Sequence, residues 1–211
     1  QFFPKKKFFG HLMVNEIKNI DKVLRGAQKP LTAIIGGAKV SSKIAIISQL
    51  VKTVDNLIIG GGMAYTFIKA MGGSVGASLV ENDKLELALE IIQSAKYNKV
   101  NLCLPIDSVN ADAFDNDANK ANSKVENVQD GYMGLDIGEE TAAQFAHVIK
   151  NSATILWNGP MGVFEMENFS KGTRVVADAI VEATENGAFS LIGGGDSVAA
   201  ISGYEMVDKV S

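Results

Sequence analysis

Two lysines stand four residues apart where a strand is predicted to pass into a helix. The stretch Gly36–Lys43, GGAKVSSK, follows the apolar run LTAII and precedes IAIISQLV. If the helix starts near Ser41, Lys39 lies at the end of the strand and Lys43 lies in the first helical turn. Cations at a helix N-terminus oppose the helix dipole, a placement that makes sense where an anion binds. The plainer alternative is a pair of solvated lysines on a surface loop.

Glycine-containing turns follow four of the predicted strands, in AIIGGAK, LIIGGGM, ILWNGPMG and SLIGGGDS. In a parallel sheet these turns lie at one edge, which is where open α/β proteins bind ligands. Glycine lets backbone N–H groups approach a phosphate closely, and a helix that starts just after the turn adds its positive end. Any single turn can be a plain tight turn. The four together indicate an anionic ligand, with a nucleotide favoured.

Two carboxylates accompany these turns. Asp196 directly follows three glycines, and one Asp beside a phosphate turn is enough to help hold Mg²⁺ on a nucleotide. Helix capping is the alternative for Asp196, and one residue can do both. Glu165 follows the loop GPMGVF and could accept hydrogen bonds from ribose hydroxyls. Taken alone, it would more often be a solvated surface residue.

Other familiar sites are missing from the sequence. GGAKVSSK lacks the P-loop pattern G-x-x-x-x-G-K-[ST], and no glycine run matches the dinucleotide fingerprint G-x-G-x-x-G. His11 and His147 have no second His or Cys at a metal-binding spacing. Cys103, the one cysteine, cannot form an internal disulfide, which fits a reducing cytoplasm.

Strand-like and helix-like segments alternate along the chain and must position these residues. Strands are predicted over 31–36, 56–60, 100–105, 154–159 and 189–194, and helices over 43–54, 63–71, 82–97 (with Asn82 as a cap), 139–150 and 170–185. This order predicts an α/β fold, a Rossmann-like three-layer sandwich with a mainly parallel sheet and helices on both faces. Residues 106–138, rich in Asp and Asn, predict a small β excursion from the sheet.

Bulk composition narrows the function classes. The 211 residues are 46% hydrophobic, which is enough for the core of one domain. A formal net charge of -4 argues against binding to nucleic acid. No apolar stretch approaches the length of about 18 residues needed to span a bilayer. The basic run Lys5–Lys7 lacks the features of a signal peptide, so a cytoplasmic location is expected.

Six strings match one family in order and spacing: GGAKVSSK, IIGGGMAYTF, LPIDSVNADAF, MGLDIG, WNGPMGVFE and GGGDS. The sequence resembles phosphoglycerate kinase over essentially its whole length. The resemblance implies reversible transfer of a phosphoryl group from 1,3-bisphosphoglycerate to Mg-ADP in glycolysis, giving 3-phosphoglycerate and ATP. It also implies that residues 1–211 are a single nucleotide-binding domain, the C-terminal domain of a two-domain kinase that is usually monomeric. The N-terminal domain, which would bind the phosphoglycerate, and a short final tail are not in the sequence.

The resemblance assigns roles to particular residues. Lys39 and Lys43 would contact the phosphates, with Lys43 stabilising charge in the transition state. Asn158 would assist there, and Glu165 would bind the ribose. Gly194 and Gly195 would have catalytic roles, and Asp196 would direct Mg²⁺. The phosphate-binding helix start would comprise Gly193, Gly194, Gly195, Asp196 and Ser197. The adenine would lie against Gly60, Gly61, Leu79, Phe114, Gly134, Leu135, Pro160 and Val163.

The resemblance answers the question raised by the lysines. Phosphoryl transfer depends on positioning and charge neutralisation, for which two lysines, Mg²⁺ and a positive helix end are suitable parts. Since closure over the substrates needs both domains, the chain alone is expected to bind nucleotide without turnover. Two alternatives remain. An NAD-dependent oxidoreductase shares the coarse fold but needs the missing fingerprint, and a non-catalytic nucleotide-sensing domain would explain a lone half.

Overall fold

A computed structural model describes residues 26–211, and its centre is a five-stranded parallel sheet in the order β10-β9-β1-β2-β4. The strands are β1 (Leu31–Ile35), β2 (Asn56–Ile59), β4 (Asn101–Cys103), β9 (Thr154–Asn158) and β10 (Phe189–Gly193). All four pairings are parallel. Predictions that concern residues 1–25, including Lys5–Lys7 and His11, lie outside the described residues.

Six α-helices in this part of the chain cover the two faces of the sheet. They are α1 (Ile44–Leu50), α2 (Ala64–Ala70), α3 (Leu85–Tyr97), α4 (Glu139–Lys150), α5 (Lys171–Glu185) and α6 (Gly195–Gly203). Helices α1, α2 and α3 contribute to one core cluster, and α4, α5 and α6 contribute to another. The expected Rossmann-like three-layer sandwich is confirmed.

Alternation along the buried strands explains the two cores. In β1, Ala33 and Ile35 belong to the cluster with Phe67 of α2, whereas Ile34 belongs to the cluster with Phe145 of α4. Successive strand side chains point to opposite faces, so a strand covered on both sides must be buried, and mainly apolar, along its whole length. The five residues LTAII of β1 are all buried, as this requires.

The predicted excursion is a three-stranded antiparallel sheet. It consists of β5 (Asp107–Ala111), β6 (Lys120–Lys124) and β8 (Met133–Ile137), in the order β6-β5-β8. Two short strands, β3 (Ser74–Val75) and β7 (Asn127–Val128), pair in parallel beside it. The excursion returns to the main body through β8, which leads into α4.

Two helix starts differ from the prediction. A 3-10 turn at Val40–Ser42 precedes α1, so the helix starts at Ile44 rather than near Ser41, and Lys43 precedes the helix instead of lying in its first turn. Likewise, a 3-10 turn at Asn82–Lys84 precedes α3, and no side-chain hydrogen bond from Asn82 caps the helix. A backbone hydrogen bond closes each turn, from Lys43 N to Val40 O and from Lys84 N to Glu81 O, both at 2.9 Å, which periodicity alone does not reveal.

Two further 3-10 turns, at Glu167–Phe169 and Val207–Lys209, complete the regular structure of residues 26–211. Within this range, no helix combines the length and apolar character needed to cross a membrane.

Candidate functional site

The carboxyl ends of β1, β2, β9 and β10 lie at one edge of the parallel sheet, as their registers require. Ile35 pairs with Ile59 on one side and with Asn158 on the other, and Asn158 pairs with Gly193. The glycine-containing turns therefore converge, as the sequence predicted.

Three of the four turns pack backbone to backbone. A Cβ added to Gly36 would overlap the carbonyl oxygens of Gly159 and Pro160, and one added to Gly61 would lie 2.6 Å from the Gly37 nitrogen. The turns are also hydrogen-bonded: Gly36 N donates to Asn158 O at 3.0 Å and Gly61 N donates to Met161 O at 3.1 Å. These glycines are explained by close packing between loops, without any ligand.

The turn after β10 differs because Gly195 faces open space, although a Cβ on Gly194 would lie 3.0 Å from Asn158 Oδ1. Gly194 has a φ of 83°, a conformation that favours glycine, and a Cβ on Gly195 would meet nothing within 4 Å. Gly195 and Asp196 are the first two residues of α6, and both are exposed. Their backbone N–H groups belong to the orphan donors of a helix N-terminus, the arrangement that binds anions.

Ser197, which the sequence placed in the phosphate-binding helix start, lies inside the protein rather than at its surface. Its side chain is buried, and its Oγ accepts a hydrogen bond from Gly159 N at 2.6 Å. The hydroxyl thus joins α6 to the turn after β9. Its contribution to an anion site is to fix the helix start.

A cavity of about 280 Å³ opens at this edge, between the turns and the antiparallel excursion. Nine residues of the predicted site line it: Gly61, Leu79, Phe114, Gly134, Leu135, Pro160, Val163, Glu165 and Asp196. The other predicted residues are absent from its lining: Lys39, Lys43, Gly60, Asn158, Gly193, Gly194, Gly195 and Ser197. Gly60 lies behind Met161, whose Sδ occupies the space of a Cβ at that position.

Strand β8 forms a wall of the cavity together with the loop that follows β9. Val163 N donates to Leu135 O at 2.9 Å, which holds the loop against the strand. On the same strand, Gly134 N donates to Ser78 Oγ at 2.9 Å, and any side chain at Gly134 would overlap the Tyr65 hydroxyl. Phe114, at 64% exposure, stands at the open side.

The turn Lys39–Lys43, or lysine turn, lies beside the cavity. Gly37 and Ala38, just before this turn, line the cavity. The Lys43 Cε lies 3.9 Å from a Cβ placed on Gly37. Lys43 Nζ donates to Asn158 O at 3.4 Å and also contacts Asn158 Oδ1. The structure therefore brings together Lys43 and Asn158, two of the residues expected at the phosphates, while Lys39, also expected there, is exposed at the start of the turn.

Tyr65 and Asp136 are among the cavity residues that escaped the sequence reasoning. Tyr65 lies on α2, far along the chain from Gly134, and only the fold brings the two into contact. Asp136 is 4% exposed, and its carboxylate accepts hydrogen bonds from Gly172 N at 2.7 Å and Ile137 N at 2.9 Å. An acidic residue within the apolar strand MGLDI was the available signal, because ionisable groups are seldom buried without a purpose.

The surroundings of these residues shift their ionisation. Burial raises the pKa of Asp136 to about 7, although the Gly172 and Ile137 N–H groups and the Lys171 ammonium act in the opposite direction. Burial likewise raises the pKa of the Tyr65 phenol above its usual value. Asp136 therefore carries less charge at neutral pH than it would in water, whereas the phenol is neutral at that pH in either setting.

A magnesium ion would need oxygen ligands at the α6 end of the cavity. Asp196 is exposed, and no side-chain hydrogen bond caps α6, so its carboxylate is not used as a helix cap. Among residues 26–211, no group of three or more His, Cys, Asp or Glu side chains could enclose a metal. This arrangement fits Mg²⁺ held by one carboxylate and by a phosphate ligand.

Taken together, the site has two parts. One is a largely apolar cavity that suits a flat aromatic group, and the other is a glycine-rich helix start with Lys43 and Asn158 nearby, which suits an anion. Asp196 belongs to both parts. A ligand that joins an aromatic ring to phosphates matches this arrangement.

Comparison with known proteins relates the chain to one family. The sequence profile of the family "Phosphoglycerate kinase" matches residues 1–211. A phosphoglycerate kinase of Porphyromonas gingivalis is 54% identical over 205 residues, which cover 97% of the chain and 49% of that protein. A phosphoglycerate kinase of Clostridioides difficile is 50% identical over 209 residues, which cover 99% of the chain and 52% of that protein.

Solved structures show the same fold. The structure of phosphoglycerate kinase from Coxiella burnetii matches with a TM-score of 0.88 and 41% identity, covering 96% of this chain and 51% of that one. Phosphoglycerate kinase from Pyrococcus horikoshii matches with a TM-score of 0.73 and 28% identity, covering 92% and 49%. The chain thus spans about half the length of the relatives it matches.

Proposed function

The chain belongs to the phosphoglycerate kinase family, and we propose from this premise that residues 1–211 are the nucleotide-binding domain of such an enzyme. In this proposal the cavity takes the adenine of ADP or ATP, and the α6 end takes the phosphates. The observation that carries the proposal is the continuity, through Asp196, between an apolar cavity and an exposed helix start.

The proposed reaction transfers a phosphoryl group from the acyl phosphate of 1,3-bisphosphoglycerate to ADP. A terminal phosphate oxygen of ADP forms the new P–O bond, and the bond between phosphorus and the carboxyl oxygen breaks. The electron pair leaves on the carboxylate of 3-phosphoglycerate. Because the attacking oxygen is already anionic, no general base is needed, and the protein must mainly position and neutralise charge.

Each part of the site has a task in this proposal. Lys43 would neutralise the phosphoryl group in transfer, and Asn158 holds its ammonium at the end of β9. Lys39, Gly193, Gly194 and Gly195 would contribute to the phosphate end, where backbone N–H groups of α6 face the anion. Glu165, exposed at the cavity, would accept hydrogen bonds from the ribose hydroxyls.

Mg²⁺ would be held by Asp196 together with nucleotide phosphates. When bound, such a metal ion neutralises charge on the phosphates and orients them. Asp196 itself would fix the place of the phosphate chain relative to α6.

The phosphoglycerate would bind to the part of the enzyme that this chain does not span. We propose a monomeric two-domain enzyme in which closure of the two domains excludes water and brings the two substrates together. The chain alone would then bind nucleotide but transfer no phosphoryl group.

A turnover assay tests this division of tasks. The 211-residue chain would be assayed for ATP formation from 1,3-bisphosphoglycerate and Mg-ADP, alone and fused to the N-terminal half of the Porphyromonas gingivalis relative. We expect no measurable activity from the chain alone and restored activity in the fusion. Activity in the chain alone would contradict the division, and a folded but inactive fusion would instead favour a non-catalytic nucleotide-sensing domain.

A further inference from the structure

Glu81 reaches from the cavity side to the lysine turn. Its carboxylate accepts a hydrogen bond from Ser41 N at 3.0 Å and a second one from the Ser41 hydroxyl. Ser41 belongs to the 3-10 turn at Val40–Ser42, between Lys39 and Lys43. The two residues are 40 positions apart in the sequence.

The segment that carries Glu81 is itself fixed. Glu81 N donates to Thr66 Oγ1 at 3.1 Å, and Thr66 is a buried residue of α2. Two residues before Glu81, Leu79 lines the cavity and lies 3.5 Å from a Cβ placed on Gly62. The segment therefore connects the wall proposed for the adenine to the turn that carries the lysines.

Two further hydrogen bonds of the lysine turn are local, and the Lys43 ammonium also donates to Asn158 on β9. Lys43 N donates to Val40 O at 2.9 Å, and Ser42 Oγ donates to Lys39 O at 2.7 Å. These bonds fix the internal shape of the turn without fixing its place relative to the cavity. The Glu81 carboxylate supplies an attachment to a separate, anchored segment.

Because Glu81 is charged, its effect on phosphate binding can distinguish a positioning role from simple charge repulsion. Burial raises the pKa of Glu81, but hydrogen bonds from Ser41 and Val40 outweigh this, and the pKa is lower than usual. The carboxylate is therefore ionised at neutral pH. By charge alone, an anion close to a phosphate site weakens phosphate binding, so removal of the charge would strengthen it.

We propose that Glu81 is a positioning residue, which holds the Lys39–Lys43 turn at the cavity wall so that the lysines meet the phosphates of a nucleotide bound there. The inference rests on the proposed function. It predicts that loss of Glu81 weakens phosphate binding, opposite to the prediction from charge alone.

Calorimetric titrations with adenosine and with Mg-ADP separate the two ends of the ligand. The variants are Glu81→Ala, Glu81→Gln, Ser41→Ala and the matched control Asp83→Asn. Asp83 is an exposed carboxylate that pairs with Lys84, outside the proposed site. Because Ser41 is exposed, Ser41→Ala provides a second test with little risk to folding.

For Glu81→Ala we expect the Kd of Mg-ADP to rise about tenfold, the lower end of the scale for one hydrogen bond to a charged group, while that of adenosine is unchanged. Glu81→Gln keeps one acceptor oxygen and should lose less. Ser41→Ala should weaken Mg-ADP binding, and adding it to Glu81→Ala should cause little further loss, because both changes remove the same bonds. Asp83→Asn should match the parent.

Unchanged or tighter Mg-ADP binding by Glu81→Ala would overturn the inference. An equal loss for adenosine and Mg-ADP would also overturn it, since Glu81 would then support the whole cavity. If the folded parent binds neither ligand, the proposed function fails, and the inference fails with it.

Discussion

Asp136 is a carboxyl group held under the candidate cavity by two backbone N–H groups, from Gly172 at the start of α5 and from Ile137. Burial raises its pKa to about 7, so the folded state binds the proton more tightly than the unfolded chain does. Stability from this group is fully present below the unfolded pKa of about 4 and is lost as pH rises through about 7.

Asp136→Asn should remove this dependence on pH. Relative to the variant, the parent should lose up to about 1.4 kcal/mol of unfolding free energy per pH unit between pH 4 and pH 7. Urea unfolding of both proteins at several pH values from 5 to 8 measures the difference. Asp178→Asn is the control, because Asp178 lies on α5 in an exposed ion pair with Arg174. A constant difference between Asp136→Asn and the parent would contradict the assignment.

Glycine turns have two distinct roles at the level of the secondary-structure elements. The turns after β1, β2 and β9 pack against one another with no room for a Cβ at Gly36, Gly61 or Gly159, whereas the turn before α6 leaves Gly195 open. The same residue type therefore serves loop packing in one place and an exposed helix start in the other.

A pair of alanine variants should separate these roles. Gly36→Ala would press on the Gly159 and Pro160 backbone and should cost about 1–3 kcal/mol of stability, as overpacking does. Gly195→Ala should keep or slightly raise stability but weaken Mg-ADP binding, because its methyl group would occupy the space that we propose for the phosphates. Thermal unfolding and calorimetry of both variants measure the two effects. A stable Gly36→Ala, or a Gly195→Ala with unchanged affinity, would contradict this division.

Much of the arrangement of elements could be predicted from the sequence. The alternation of apolar runs and helical periodicity predicted the parallel sheet, and the turn glycines predicted the edge where they converge. The 3-10 turns at Val40–Ser42 and Asn82–Lys84 could not be predicted in this way, since they lie in polar segments without periodicity. The contact of Glu81 with Ser41 depends on the fold that brings the two segments together.

The candidate site was predicted less completely than the fold. Residues next to a glycine turn, such as Asp196 and Glu165, could be found because local sequence marks them. Tyr65 and Asp136 lie within a helix and a strand, where their side chains meet the cavity only after packing. The resemblance named the wall residues Leu79 and Phe114, which no local pattern distinguishes.

At the scale of the whole molecule, residues 26–211 form an α/β sandwich, and the chain spans about half the length of its relatives. Its formal net charge is -4, so long-range attraction does not favour an anionic ligand. Affinity for a nucleotide must come from local contacts at the sheet edge, where Lys43 and the N-terminus of α6 supply positive charge.

Calorimetric titration of the 211-residue chain with Mg-ADP, beside Lys43→Ala, tests the central claim most directly. We predict that the parent binds one Mg-ADP and that Lys43→Ala raises Kd by about 10- to 150-fold, equivalent to a charged hydrogen bond of about 1.5–3 kcal/mol. Lys52→Ala, which alters a lysine beyond the end of α1, is the control and should bind as the parent does. Absence of binding by the folded parent, or equal affinity of Lys43→Ala and the parent, would contradict the account.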